Sequence, residues 1–114
     1  MALSNKLMKV LRERDSHCWH CGATEGLVPH HRRNRGIGGS KNLDRLDNLM
    51  LVCSIYNGLM ESQADIAKQA RDFGHKLGQW DGFEHPVYDQ ITATWFELSQ
   101  QGLKNESTPP HYLY

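Results

Sequence analysis

Between positions 18 and 57 the chain gathers Cys18, Cys21, His30, His31, Asn48, Cys53 and Asn57. Thiolates hold soft and borderline metals, imidazole ligates metals and carries protons near neutral pH, and the asparagine carbonyl offers a hard oxygen. A core of this size does not need such a concentration of metal- and proton-handling groups. Cys18-Trp19-His20-Cys21 has the two-residue spacing of a metal knuckle. Three cysteines make an odd set that suits a disulfide framework poorly and metal ligation in a reducing compartment better.

The elements that must carry these residues follow from periodicity and punctuation. Leu3, Leu7, Val10 and Leu11 recur at helical spacing, predicting an N-terminal helix that ends near Arg14. Positions 18–22 read as the tight knuckle, and 26–31 as a short strand delivering the His doublet, with Pro29 suggesting an edge position. Residues 32–47, with Gly36, Gly38 and Gly39, lack periodicity and predict a long loop of the kind that carries function. A second short strand is expected over 48–52. From Gly58 onward Leu59, Ile66, Ala70, Phe73 and Leu77 fall on one helical stripe with Gly78 as its stop, which sets Asn57 where that helix begins. Residues 86–89 and 94–98 predict a hairpin, and Pro109-Pro110 opens a tail.

At 114 residues the chain fits one domain with one modest core. The expectation is a single α+β domain, with 1–78 as the site-bearing core and 79–114 as a hairpin and tail of the same domain. Trp19, Trp80, Trp95, Phe73 and Phe96 are read as core or hairpin-face aromatics, because a stacking platform needs aromatics interleaved with basic residues.

The formal net charge is zero, yet it is split. Residues 1–60 hold nine Lys/Arg against five Asp/Glu, and residues 61–114 hold four against eight. The basic half contains the chemistry-bearing cluster. Arg32, Arg33, Arg35 and Lys41 flank the doublet, and glycines between them let backbone approach a phosphate, which favours nucleic acid over a merely solvated charge run. Such contacts position a backbone without reading base edges.

Knuckle, strand with His-His, glycine-bearing loop, short strand with Asn, then a helix starting with Asn: this order resembles the HNH endonucleases and their ββα-metal centre, in particular the small stand-alone HNH proteins of bacteriophages. The likeness covers roughly residues 12–77. It implies that His31 matches the general base and His30 the metal ligand before it. Asn48 matches the central asparagine that ties the loop and holds the base, and Asn57 matches the second metal ligand. It further implies DNA phosphodiester hydrolysis, nicking or double-strand, to 5′-phosphate and 3′-hydroxyl ends, with one divalent cation. A His/Asn ligand set is compatible with Mg²⁺, Mn²⁺ or Ni²⁺.

The physical requirements agree with these roles. Hydrolysis of a phosphodiester needs a deprotonated water in line with the leaving oxygen, and a positioned imidazole contributes about 10²- to 10⁴-fold to that step. A cation held by two protein groups keeps open positions for phosphate oxygens and water.

Many members of that family bind a structural zinc through two Cys-x-x-Cys pairs. Here the second pair reads Cys53 and Tyr56. Two readings stand: His17 or His20 completes a zinc site with Cys18, Cys21 and Cys53, or the thiols pack as small buried groups without zinc. The longest apolar run, 49–53, is too short to span a bilayer, and no signal-peptide pattern opens the chain, so a cytoplasmic protein without membrane contact is expected, in the host bacterial cytoplasm if phage-encoded. The resemblance implies DNA as partner and, more distantly, a phage terminase. The competing expectation is a non-catalytic DNA-binding or packaging accessory module on the same fold.

Overall fold

The computed structural model describes residues 3–34 and 41–110, the side chain of Lys41 aside. Among them the order is α1 (Asn5–Arg14), β1 (Leu27–His31), a 3₁₀ turn (Lys41–Leu43), β2 (Leu49–Cys53), α2 (Ser54–Ser62), α3 (Ala64–Asp72), β3 (Val87–Asp89), β4 (Thr94–Leu98) and β5 (Lys104–Glu106). Strands β1 and β2 form one antiparallel ribbon, and β3-β4-β5 form a second antiparallel sheet. The architecture is a small α+β fold.

β2 explains how the layers meet. Its first four residues are all buried, as expected for a strand covered on both faces. Side chains alternate along it. Leu49 and Leu51 join Leu11 of α1 on one side, whereas Met50 and Val52 join Cys18, Trp19, Tyr56, Met60, Ala70, Val87 and Leu98 on the other. The second sheet therefore shares the main core with the ribbon. Backbone bonds reinforce this union: Tyr88 N–H donates to Phe73 O at 2.8 Å and Gln90 N–H to Trp19 O at 3.0 Å.

α1 begins where Ser4 Oγ accepts the Leu7 N–H at 3.2 Å, which satisfies one orphan donor of the first turn. At its far end Arg14 and Asp15 form a buried pair at 2.7 Å. The Arg14 guanidinium donates to Leu46 O and Leu49 O, while Asp15 accepts the Leu51 N–H at 3.0 Å. The pair clamps the helix end to β2.

The stripe read over 58–77 is not one helix. It breaks at Gln63, whose backbone is extended (φ −125°, ψ 121°), and Leu77 lies beyond both helices. The reason is phase. On α2 the buried residues are Tyr56 and Met60, with Leu59 only partly covered. At 100° per residue, Ile66 falls about 120° away from Met60 on a straight helix. Turning the chain at Gln63 lets both segments face one core. The helix also begins earlier than expected, at Ser54, because Cys53 caps it by accepting the Tyr56 N–H on Sγ at 3.3 Å. Asn57 thus sits in the first turn, four residues in.

The predicted hairpin is present as β3–β4, paired Val87↔Phe96 through Asp89↔Thr94. β5 was not expected: Lys104-Asn105-Glu106 has no apolar alternation and is a strand only because β4 offers it an edge. Gly102, at φ +87°, turns the chain between them. No described helix is long and apolar enough to cross a membrane.

Candidate active site and metal centre

The ribbon carries chemistry at both ends. Its register runs from Leu27↔Cys53 to His31↔Leu49, so the thiols gather at one end and the His doublet at the other.

At the thiol end Cys18 leads into a turn closed by Gly22 N–H to Cys18 O at 3.0 Å, with Gly22 at φ +81°. Cys53 arrives from β2. The sulfurs of Cys18, Cys21 and Cys53 all lie within 4.8 Å of one another, so this group could hold a metal ion. Two backbone donors already point at sulfur, His20 N–H to Cys18 Sγ at 3.4 Å and Tyr56 N–H to Cys53 Sγ.

The position matching a fourth cysteine has another use. Tyr56 is 2% exposed, and its hydroxyl donates to His75 Nδ1 at 2.7 Å. Burial, with Cys18 and Cys53 nearby, pushes the phenol well above its ordinary pKa, so it stays a neutral donor. Of the two histidines considered as completing ligands, His17 is engaged at both nitrogens, with Asp89 Oδ2 at 2.9 Å and Ser16 Oγ at 3.1 Å. His20 lies flat on the Tyr56 ring, centroids 3.9 Å apart and planes within 8°. Burial lowers its pKa, which favours the neutral form a metal requires. Its ring nitrogens are outside the thiol group.

His75 links the two ends. Its Nε2–H donates to Tyr88 O at 2.7 Å, leaving Nδ1 to accept from Tyr56. Complete burial pulls its pKa down to about 3. Its own carbonyl accepts from His30 Nε2–H at 2.7 Å.

That bond sets the tautomer of His30. With Nε2 protonated, the lone pair sits on Nδ1, and burial keeps the ring neutral with a pKa lowered to about 4. A neutral imidazole oriented by a carbonyl is the usual form of a metal-binding histidine. Glu61 raises the His30 pKa electrostatically and pairs with Lys76 at 3.7 Å. Glu61 stands one turn beyond Asn57 on α2, so the same helix face presents both.

His31 leaves β1 on the opposite side, as strand alternation requires. Its Nε2–H donates to Asp44 Oδ1 at 2.7 Å, and both side chains are partly exposed, at 21% and 16%. No described residue bonds its Nδ1. Asp44 was missed in the sequence: it lies thirteen positions on in the chain, and no spacing rule links a loop carboxylate to a strand histidine.

Asn48 is fully buried and sits just before β2 rather than in it. Its Oδ1 accepts the Arg33 N–H at 2.8 Å, and its amide donates to Arg33 O and Leu43 O at 3.2 and 2.9 Å. It ties the segment after His31 to the segment before Asp44.

The basic flank is largely built into the fold. Arg32, expected among the phosphate contacts, is 1% exposed and donates to Gly74 O, Asp47 O, Phe83 O and His85 O. Its burial lowers the guanidinium pKa to about 9. This corrects the expectation, since a cation surrounded by carbonyls inside the protein cannot reach DNA. Arg33 donates to Asp81 O and lies 4.6 Å from the Phe83 ring centre. Arg45 pairs with Asp47, Nη2 to Oδ2 at 2.8 Å, and lies 4.2 Å from the same ring. Arg35 falls outside the described residues, as does the side chain of Lys41.

The aromatics divide. Trp19 is core, edge-on to Phe96 with centroids 5.8 Å apart, and Phe73, Tyr88 and Trp95 line up across the second sheet. Trp80 is neither core nor hairpin: it is 90% exposed, on a turn whose Leu77 N–H donates to Arg32 O at 2.8 Å. No protein-family model, curated protein or solved structure matches this chain.

Proposed function

We propose that this protein is a metal-dependent DNA endonuclease of the HNH type, with the β1–β2–α2 unit as its ββα-metal centre. The observation that carries the reading is the His31–Asp44 pair at 2.7 Å. The carboxylate fixes the imidazole through Nε2–H, so Nδ1 is the nitrogen left to take a proton from water. Next to it in the chain stands His30, neutral, with its own Nδ1 lone pair unspent.

His30 and Asn57 are the residues that would hold the divalent cation, and its contribution would be to withdraw charge from the scissile phosphate. The rest is done by the chain. Asn48 holds the backbone on both sides of the loop, so that His31 and Asp44 meet in one geometry. Arg32 ties Asp47, just before Asn48, to Gly74, Phe83 and His85 through their carbonyls. Because the two histidines leave β1 on opposite sides, the reading requires a substrate that straddles the end of that strand. At the other end Cys18, Cys21 and Cys53 are the residues that would hold a structural zinc, with His20 the histidine that would complete the set.

Supercoiled plasmid incubated with Mg²⁺, Mn²⁺ or Ni²⁺ tests the proposal. Wild type is expected to nick it, and His31→Ala to lose about 10²- to 10⁴-fold in rate while binding DNA equally. Cleavage that survives the substitution removes His31 from its role. DNA binding without cleavage by the wild type would favour the accessory-module reading.

A further inference from the structure

The cations of the described face near the doublet are occupied: Arg32 is buried, Arg33 is held by Asp81 O, and Arg45 is held by Asp47. What this edge leaves unspent is an aromatic ring. Trp80 makes no hydrogen bond or ring contact among the described residues and is 90% exposed. A single exposed aromatic is ordinary on a protein surface. The distinguishing feature of Trp80 is the way its turn is held.

Asp81 closes that turn twice, its side chain accepting the Gly78 N–H at 2.7 Å and its own N–H donating to Gly78 O at 3.2 Å. The turn is bonded on both sides to the residues that follow His31, through Leu77 N–H to Arg32 O and through the Arg33 guanidinium to Asp81 O. Phe83, just beyond, is the ring against which Arg33 and Arg45 lie. The turn that carries the Trp80 indole is thus fixed beside the strand end that carries His31, and tertiary structure supplies the aromatic–basic interleaving that the linear sequence lacks.

We propose that Trp80 is a nucleobase-stacking residue, its indole taking the flat face of an exposed base in the DNA bound at the His30–His31 end. The inference rests on the DNA-cleaving reading of that end. Stacking needs no particular base, because every base has a π face. It also differs from a phosphate contact in a measurable way, since it releases no counterions. An apolar partner protein would use the same ring without that preference for bases.

The experiment measures binding of a fluorescein-labelled single-stranded oligonucleotide, and of its duplex, to the full chain over a series of salt concentrations. His31→Ala serves as the background to prevent cleavage. Adding Trp80→Ala is expected to weaken single-strand binding roughly 5- to 150-fold, with the slope of log affinity against log salt unchanged. Trp80→Phe should restore most of the loss and Trp80→Leu little of it. DNA should quench indole fluorescence in the parent and far less in Trp80→Phe, because Trp19 is buried and Trp95 is half-buried against Tyr88 in the second sheet. Equal affinities for parent, Trp80→Ala and Trp80→Leu overturn the inference while leaving the nuclease reading intact. Loss of affinity on Trp80→Ala, together with a wild type that binds DNA but never nicks plasmid, supports the stacking role and overturns the catalytic role of His31. If the parent binds no DNA, both fall.

Discussion

The two ends of the β1–β2 ribbon hold comparable numbers of chemistry-bearing side chains and use them differently. At the thiol end the groups around the sulfurs are committed: Tyr56 to His75, His17 to Asp89, and two backbone donors to Cys18 and Cys53. What this leaves together are the three sulfurs, a group that could hold a metal ion. At the histidine end the division runs within single stretches of sequence. Asn48 and Arg32 are spent on backbone, whereas His30 and His31 are each oriented through one nitrogen and keep the other. A side chain that keeps a nitrogen uncommitted and one spent on backbone can therefore be chain neighbours, and residue type does not tell them apart.

The largest expected effect is at the thiol end. If zinc organises it, binding contributes on the order of ten kcal/mol to folding, and a strong chelator should abolish the far-ultraviolet circular dichroism until Zn²⁺ is returned. A chelated protein that keeps its spectrum and melting temperature would make the three thiols packing groups and erase the contrast.

Next comes the buried cation of the histidine end. Arg32→Met should cost about 3–5 kcal/mol in urea unfolding, because it leaves several carbonyls without their donor around a buried site. A loss under about 1 kcal/mol together with a shallower salt dependence of DNA binding would return Arg32 to the phosphate contacts.

The smallest effect, counted per unit of pH, tests the link between the ends. His75 is held at about 3, below the ordinary 6.5, so the unfolded chain takes up its proton first as the solution is acidified. Its contribution to stability is fully present above about pH 6.5 and is lost as pH falls towards 3, by about 1.4 kcal/mol per unit. His75→Gln should flatten the pH dependence of the urea midpoint by that amount. An unchanged slope would mean that His75 is not the buried neutral bridge between Tyr56 and Tyr88.

Much of the frame was legible in advance, because it follows from local pattern. The α1 stripe, the strand ending in His31, the apolar run of β2 and the β3–β4 hairpin each express one period in one segment. The α2–α3 break was not, since the stripe through Leu59, Ile66 and Ala70 is in phase with itself. Only the burial of Tyr56 and Met60 against Cys18 and Trp19 makes it out of phase with the core. β5 was invisible for a related reason, its strand character being lent by β4.

Sequence alone determined which groups are present and in what order: the thiols, the doublet, the two asparagines and the basic half. Tertiary structure decided which of them are free. It brought Asp44 to His31 and His75 to both Tyr56 and His30, buried Arg32 among carbonyls, and left Trp80 in solvent. The reason is that availability depends on solvation and on partners distant in the chain, and neither is encoded in a residue's type or in its spacing from the next.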